Sequence, residues 1–128
     1  MPGFVLTGRA GAPVEEVWKL LFDPTRFPEW WAGVETIQPG PTGEFTLWPD
    51  GYPDFPMDQR IEASTTPGTV TISCLVSDLV FRWTLHESGA GTDVDVHVEI
   101  PESEARRVPE QQRLLDASLT TLARLASR

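Results

Sequence analysis

The chain has 128 residues, about the length of one domain with one hydrophobic core. Apolar residues make up 40%, which suits a globular chain and not a disordered one. With 10 basic residues against 19 acidic ones the formal net charge is −9, which disfavours polyanionic partners such as nucleic acid and anionic lipid surfaces.

The first segment, "GFVLTGRA", is short and apolar-rich and reads as a strand. "GAPVEEVWKLLFDP" changes period: Val14, Val17, Trp18 and Leu21 share one face of a helix. Pro13 fits its first position, and Glu15 and Glu16 suit the positive end of its dipole. Asp23-Pro24 stops this helix and restarts a second, short one, with Asp23 as N-cap and Pro28 limiting its length. From Val34 the signals are strands. "VETIQPG" and "GEFTLW" flank a turn, and "PDGYPDFP" is a loop. "MDQRIEAS" follows, then the turn "TTPG". "TVTISCLVS" sets Val70, Ile72, Cys74 and Val76 against Thr71 and Ser73. "LVFRWTLHE" sets Leu79, Phe81, Trp83 and Leu85 against Arg82, Thr84 and His86. "TDVDVHVEI" alternates most cleanly, with Val94, Val96, Val98 and Ile100 opposite Asp93, Asp95, His97 and Glu99. One apolar and one charged face predict an antiparallel sheet with a single wet side. The chain ends in a helix from about Pro109 to Ala126, with Leu115, Leu119, Leu122 and Ala126 as its stripe, widened by Leu114 and Leu125. A sheet and helix so patterned bury their apolar faces against each other, with the two short helices closing the open side.

Cys74 is the one cysteine, so no internal disulfide or thiolate cluster is available, and on an apolar strand face it reads as an inert small hydrophobe. No leader pattern is visible, and no apolar run approaches the ~20 residues of a membrane span. A soluble, cytoplasmic protein is expected. The single lysine, Lys19, among the basic residues, with much Ala, Gly and Pro, suggests a GC-rich bacterial genome.

The element order, together with "APVEEVW", "DPTRFPEWWAGV" and "SGAGTDVDVHVEI", resembles the START-like (SRPBCC) superfamily, in its polyketide cyclase/dehydrase-like branch. The resemblance covers nearly the whole chain. It implies that residues 1–128 form a single α+β domain of the helix-grip (START-like) fold. In that fold a curved antiparallel seven-stranded sheet wraps around a long C-terminal helix, with two short helices after the first strand. It further implies a cavity between sheet and helix that takes a small hydrophobic or aromatic molecule. Any catalysis would be cyclase- or dehydratase-like chemistry without a metal or cofactor. The alternative is a non-catalytic protein-interaction module of the heat-shock-ATPase-activator type, with a filled core.

On this reading Phe81, Trp83, Val96, Leu115 and Leu119 line the cavity, and Trp31, Trp48, Tyr52 and Phe55 guard its mouth. Adjacent side chains on a regular helix or strand diverge, so Trp30 and Trp31 pose a question of their own. Either one ring anchors the fold and the other meets the ligand, or both fill core. The first alternative makes Trp30 the anchor and Trp31 the ligand-side ring. Aromatase/cyclase members carry an inward arginine in the strand that matches "MDQRIEAS", and Arg60 aligns with it, making Arg60 the best single catalytic candidate. Strand parity alone turns Arg60 to water, and only a bulge would bring it inside. The matching inward tyrosine and second inward arginine have no counterparts in "AGVETIQ" and "TVTISCLVS". His86 and His97 fall on the wet face. Asp50, Asp54 and Asp58 flank the aromatic loop and read as solvated.

The charge balance makes a direct prediction: no binding of DNA or RNA at physiological salt. A fluorescence anisotropy titration should remain flat; micromolar affinity would overturn the charge argument.

Overall fold

The alternating segments form seven strands in the computed structural model, which describes residues 2–66 and 68–127. They are β1 (Gly3–Ala10), β2 (Val34–Pro39), β3 (Glu44–Pro49), β4 (Met57–Ala63), β5 (Thr69–Cys74), β6 (Val80–Ser88) and β7 (Gly91–Glu99). Pro67 of the expected "TTPG" turn lies outside the described residues. The pairings are antiparallel, in the order β1-β7-β6-β5-β4-β3-β2. The chain therefore begins at one edge, crosses to the far edge, and walks back by hairpins until β7 lies beside β1.

The crossing is made by α1 (Val14–Leu21) and a short 3-10 helix, η1 (Pro24–Glu29). Pro13 sits one residue earlier than expected, as the N-cap of α1 in an extended conformation. Asp23 caps η1, its carboxylate accepting from the Thr25 backbone N–H at 3.0 Å. The last helix, α2, runs Val108–Ala126. A second 3-10 turn, η2 (Glu102–Arg107), precedes it where the sequence showed no periodic signal. This is a helix-grip arrangement: a curved sheet with a long helix on its concave side. No helix among the described residues is long and apolar enough to cross a membrane.

The period of two sorts the faces. Val70, Ile72, Cys74, Phe81, Trp83 and Leu85 are buried on the concave side, as are Val94, Val96, Val98 and Ile100. Leu115, Leu119, Leu122 and Ala126 of α2 are buried against them. Contact of α2 with the sheet is concentrated on β1. A side chain added at Gly8 of β1 would begin 3.3 Å from the Leu119 Cβ, which is why the strand carries glycine where the helix passes. On the convex face His86 Nε2 meets Asp95 Oδ2 at 3.2 Å, and His97 is exposed opposite Arg82. The end of β5 differs from the sequence expectation. β5 stops at Cys74, because the Asp78 N–H bonds the Cys74 carbonyl and Asp78 takes a left-handed φ of 61°. Val76, expected on the apolar face, is consequently exposed in that turn.

Trp30 and Trp31 do not diverge. Trp30 ends η1 with φ −138° and ψ −23°, neither helix nor strand, and the two rings stack with centroids 5.4 Å apart. Both are buried. Trp30 Nε1 donates to the Leu20 carbonyl at 2.9 Å, satisfying one of the free carbonyls at the end of α1. Both rings meet Trp83 edge-on, Trp31 also meets Phe81, and Phe27 packs on both. Both rings are buried in the core, and Trp31 in addition reaches the cleft described below. Just beyond, the Ala32 N–H donates to Ser118 Oγ at 2.8 Å, while Ser118 donates to the Leu114 carbonyl at 2.7 Å. Gly33, with φ of 92°, lets the chain pass close to Leu114.

Two outcomes are expected. Trp30→Ala and Trp31→Ala should each lower the unfolding free energy by about 3–5 kcal/mol in urea melts. A Trp31→Ala protein that melts like wild type would contradict its burial. Ser118→Ala leaves the partly buried Ala32 N–H without its partner and should cost about 1 kcal/mol, whereas Thr120→Ala, on the exposed face of α2, should change little.

Candidate functional site

Because α2 leans on the β1 side of the sheet, the concave surface of β3, β4 and β5 is left partly uncovered. A cleft of about 870 Å³ occupies that space. Its sheet wall carries Phe45 and Leu47 of β3, Ile72 and Cys74 of β5, Leu79 just before β6 and Phe81 at its start. The linker contributes Trp31 and Gly33, and α2 contributes Leu114. Tyr52 and Phe55 reach it from the β3–β4 loop, and both remain largely exposed. The lining is thus an apolar, aromatic surface that opens to solvent at the loop end of the sheet.

Polar groups are few inside and charged at the rim. Gln59 of β4 is buried among apolar neighbours, and its Nε2 makes a long 3.4 Å bond to the Met57 carbonyl. Ser77 Oγ is buried without a hydrogen-bond partner among the described residues. A buried polar atom left unpaired carries a desolvation cost that a ligand's polar group would relieve. Arg106, Arg107 and Arg113 stand on the helix side of the rim, with Glu110 and Gln111. Asp50 stands on the loop side, while Asp54 is exposed and Asp58 accepts from Thr46 Oγ1 at 3.1 Å on the sheet.

Of the residues selected from sequence, Trp31, Tyr52, Phe55 and Phe81 meet around this cleft. Trp83, Val96, Leu115 and Leu119 do not; they lie in packed core toward β1, where α2 fills the concavity. Trp48 does not either. Phe45, Leu47 and Pro49 take the concave positions of β3, so Trp48 points to the convex side opposite Thr36. Arg60 requires a correction as a catalytic candidate. β4 pairs in unbroken register with both neighbours, no bulge turns it inward, and its exposed guanidinium faces Glu44 at 3.5 Å. The inward polar residue of β4 is its neighbour Gln59. Gln59 could have been found from its alternation with Met57 and Ile61. The rim arginines were visible as the doublet in "EARRVP", but they gained a place only through η2, which the periodicity did not reveal. Among the described residues no group of three His, Cys, Asp or Glu side chains could hold a metal ion. The Arg26 guanidinium, hydrogen-bonded to Glu29 across η1, is held above its usual range, but it lies away from the cleft.

Residues 3–127 match the model of a family described as polyketide cyclase / dehydrase and lipid transport. The chain belongs to this family. It falls within the START-like (SRPBCC) superfamily, in keeping with the fold. Several solved structures share the architecture at low identity. Protein NE0264 from Nitrosomonas europaea superposes with a TM-score of 0.77 at 14% identity, over 97% of this chain and 93% of the other. XoxI from Bacillus cereus gives 0.75 at 16%, over 97% and 94%. DynU16, a protein in the dynemicin biosynthetic locus, gives 0.67 at 21%, over 95% of this chain and 46% of the other. At such identities the likeness is one of fold. Among curated proteins none matches the chain.

Since Arg60 is a surface residue paired with one carboxylate, Arg60→Ala should change stability by no more than ~1 kcal/mol. It should also leave the binding of an apolar dye unaltered. A large loss of dye binding in this variant would return Arg60 to the site.

Proposed function

We propose that the chain, acting as a single START-like domain, binds a small hydrophobic or aromatic molecule in the cleft between β3–β6 and the first turns of α2. The observation that carries this reading is the cleft itself. At about 870 Å³ it falls within the ~300–1,000 Å³ range of small-molecule sites. Its wall of Phe45, Leu47, Ile72 and Phe81 offers apolar area, while Gln59 and Ser77 offer the few polar groups that orient a ligand. The family description points the same way, toward polyketide-like or lipid-like molecules. A protein-interaction module with a filled core, the other class of reading, finds less support in an opening of this size. If a reaction occurs here, the inward groups favour one driven by shape, in which folding a flexible ligand against the aromatic wall brings its own reacting carbons together.

The test is native mass spectrometry of the protein purified under mild conditions, together with a titration of the neutral dye N-phenyl-1-naphthylamine. A co-purifying small molecule, or saturable one-to-one dye binding, is expected. Leu47→Trp, which fills the cleft from β3, should abolish either. A folded wild-type protein that takes up no dye, or a Leu47→Trp variant that binds as well as wild type, would contradict the reading.

A further inference from the structure

The chain carries nearly twice as many acidic as basic residues, yet among the residues lining the cleft arginines outnumber carboxylates, with Glu104 just outside as a further carboxylate. Three arginines, Arg106, Arg107 and Arg113, border it against two carboxylates, Asp50 and Glu110. All three belong to one short stretch running from the end of η2 into the first turns of α2, so the positive charge lies along one side of the opening. Their existing partners leave much of their capacity unused. Arg106 and Arg107 share one carboxylate, Glu104, at 3.3 Å and 3.2 Å, through a single nitrogen each. Arg106 gives that same nitrogen to the Ser103 carbonyl. The Arg113–Glu110 contact is loose, at 3.7 Å. A guanidinium carries five N–H donors in a planar fork suited to an oxyanion. Arg107 is only 28% exposed, so a bond to its free edge would be less screened than one at the open surface.

Resting on the cleft as the binding site, we infer that its occupant is amphipathic: an apolar body on the aromatic wall and one anionic oxygen group, such as a carboxylate, held by Arg106 and Arg107 at the rim. The apolar wall would supply affinity, and the arginines would fix which end points out. This orientation leaves the neutral end of the molecule deepest, beside Gln59 and Ser77.

Two dyes that share a skeleton separate the terms. N-phenyl-1-naphthylamine is neutral, and 8-anilino-1-naphthalenesulfonate adds an anionic group. The sulfonate dye should bind wild-type protein about tenfold more tightly, as a charge-assisted hydrogen bond supplies. In the Arg106→Gln/Arg107→Gln variant the ratio of the two affinities should fall about tenfold. Arg60→Gln/Arg82→Gln, which removes the same two charges from the convex face, should leave the ratio as it was. Arg113→Gln, at a well-exposed site, gives a second reading, expected to be a smaller fall, if the double variant does not fold. Dodecanoate and 2-naphthoate, used as competitors, distinguish a fatty chain from a fused ring; displacement by either supports the inference. Equal binding of both dyes to wild type, an unchanged ratio in the folded rim variants, or displacement by neither acid overturns the anionic end while leaving the cleft reading intact. Binding of neither dye overturns both.

Discussion

The structure depends on the burial of the linker aromatics against the concave face of the sheet. A chain that starts at β1 and must reach β2 has to cross the whole sheet, and crossing backbone over an apolar surface leaves polar groups to satisfy. Phe27, Trp30 and Trp31 meet this constraint together. Their rings interlock with Trp83, Phe81 and Phe45 at centroid distances between 5.2 and 5.8 Å, mostly edge-on. Each such pair contributes about 0.5–1.5 kcal/mol beyond its buried area. The Trp30 indole closes the end of α1, and Ser118 closes the Ala32 N–H, so the crossing is held at both ends.

That pinning shapes the cleft. Trp31 is at once part of the aromatic stack and part of the cleft wall, so the stability of the linker and the shape of the opening rest on the same ring. With the linker fixed beside β6 and α2 laid against β1, the concave surface of β3–β5 remains the region without a covering element. The exposed rings of Tyr52 and Phe55 stand at its edge rather than over it. The division between a filled half and an open half follows from where the long helix lies. The apolar alternation of the strands, which is the same in both halves, does not decide it.

This explains what could be read from residues alone. Strand alternation in "TDVDVHVEI" and "LVFRWTLHE" specified the faces, and the leucine stripe specified the buried side of α2. Asp23 was legible as a cap because its chemistry is local. The cleft lining was legible only in part, because parity says which side a residue faces but not what lies across from it. Trp83, Val96, Leu115 and Leu119 have the right parity and meet packed core; Phe81, on the same face as Trp83, meets the cleft. Trp48 failed because an aromatic-rich loop was read without its strand parity. Arg60 shows the reverse: alternation turned it to water, while the family likeness drew it inward, and the unbroken register of β4 follows the alternation. The rim arginines needed η2, whose six residues lack any apolar period.

The central claim is that the aromatic-walled cleft, and not another surface, receives a small apolar molecule. Its most direct test is a nitrogen–proton NMR titration of the tryptophan indoles with N-phenyl-1-naphthylamine. The chain has 5 tryptophans, and they sample distinct places: Trp31 on the cleft wall, Trp30 and Trp83 behind it, Trp48 on the convex side, and Trp18 on α1. The account predicts a saturable shift largest at Trp31, smaller effects at Trp30 and Trp83, and none at Trp48. Saturable shifts centred on Trp48 or Trp18 with Trp31 unmoved, or a spectrum unchanged throughout, would contradict it.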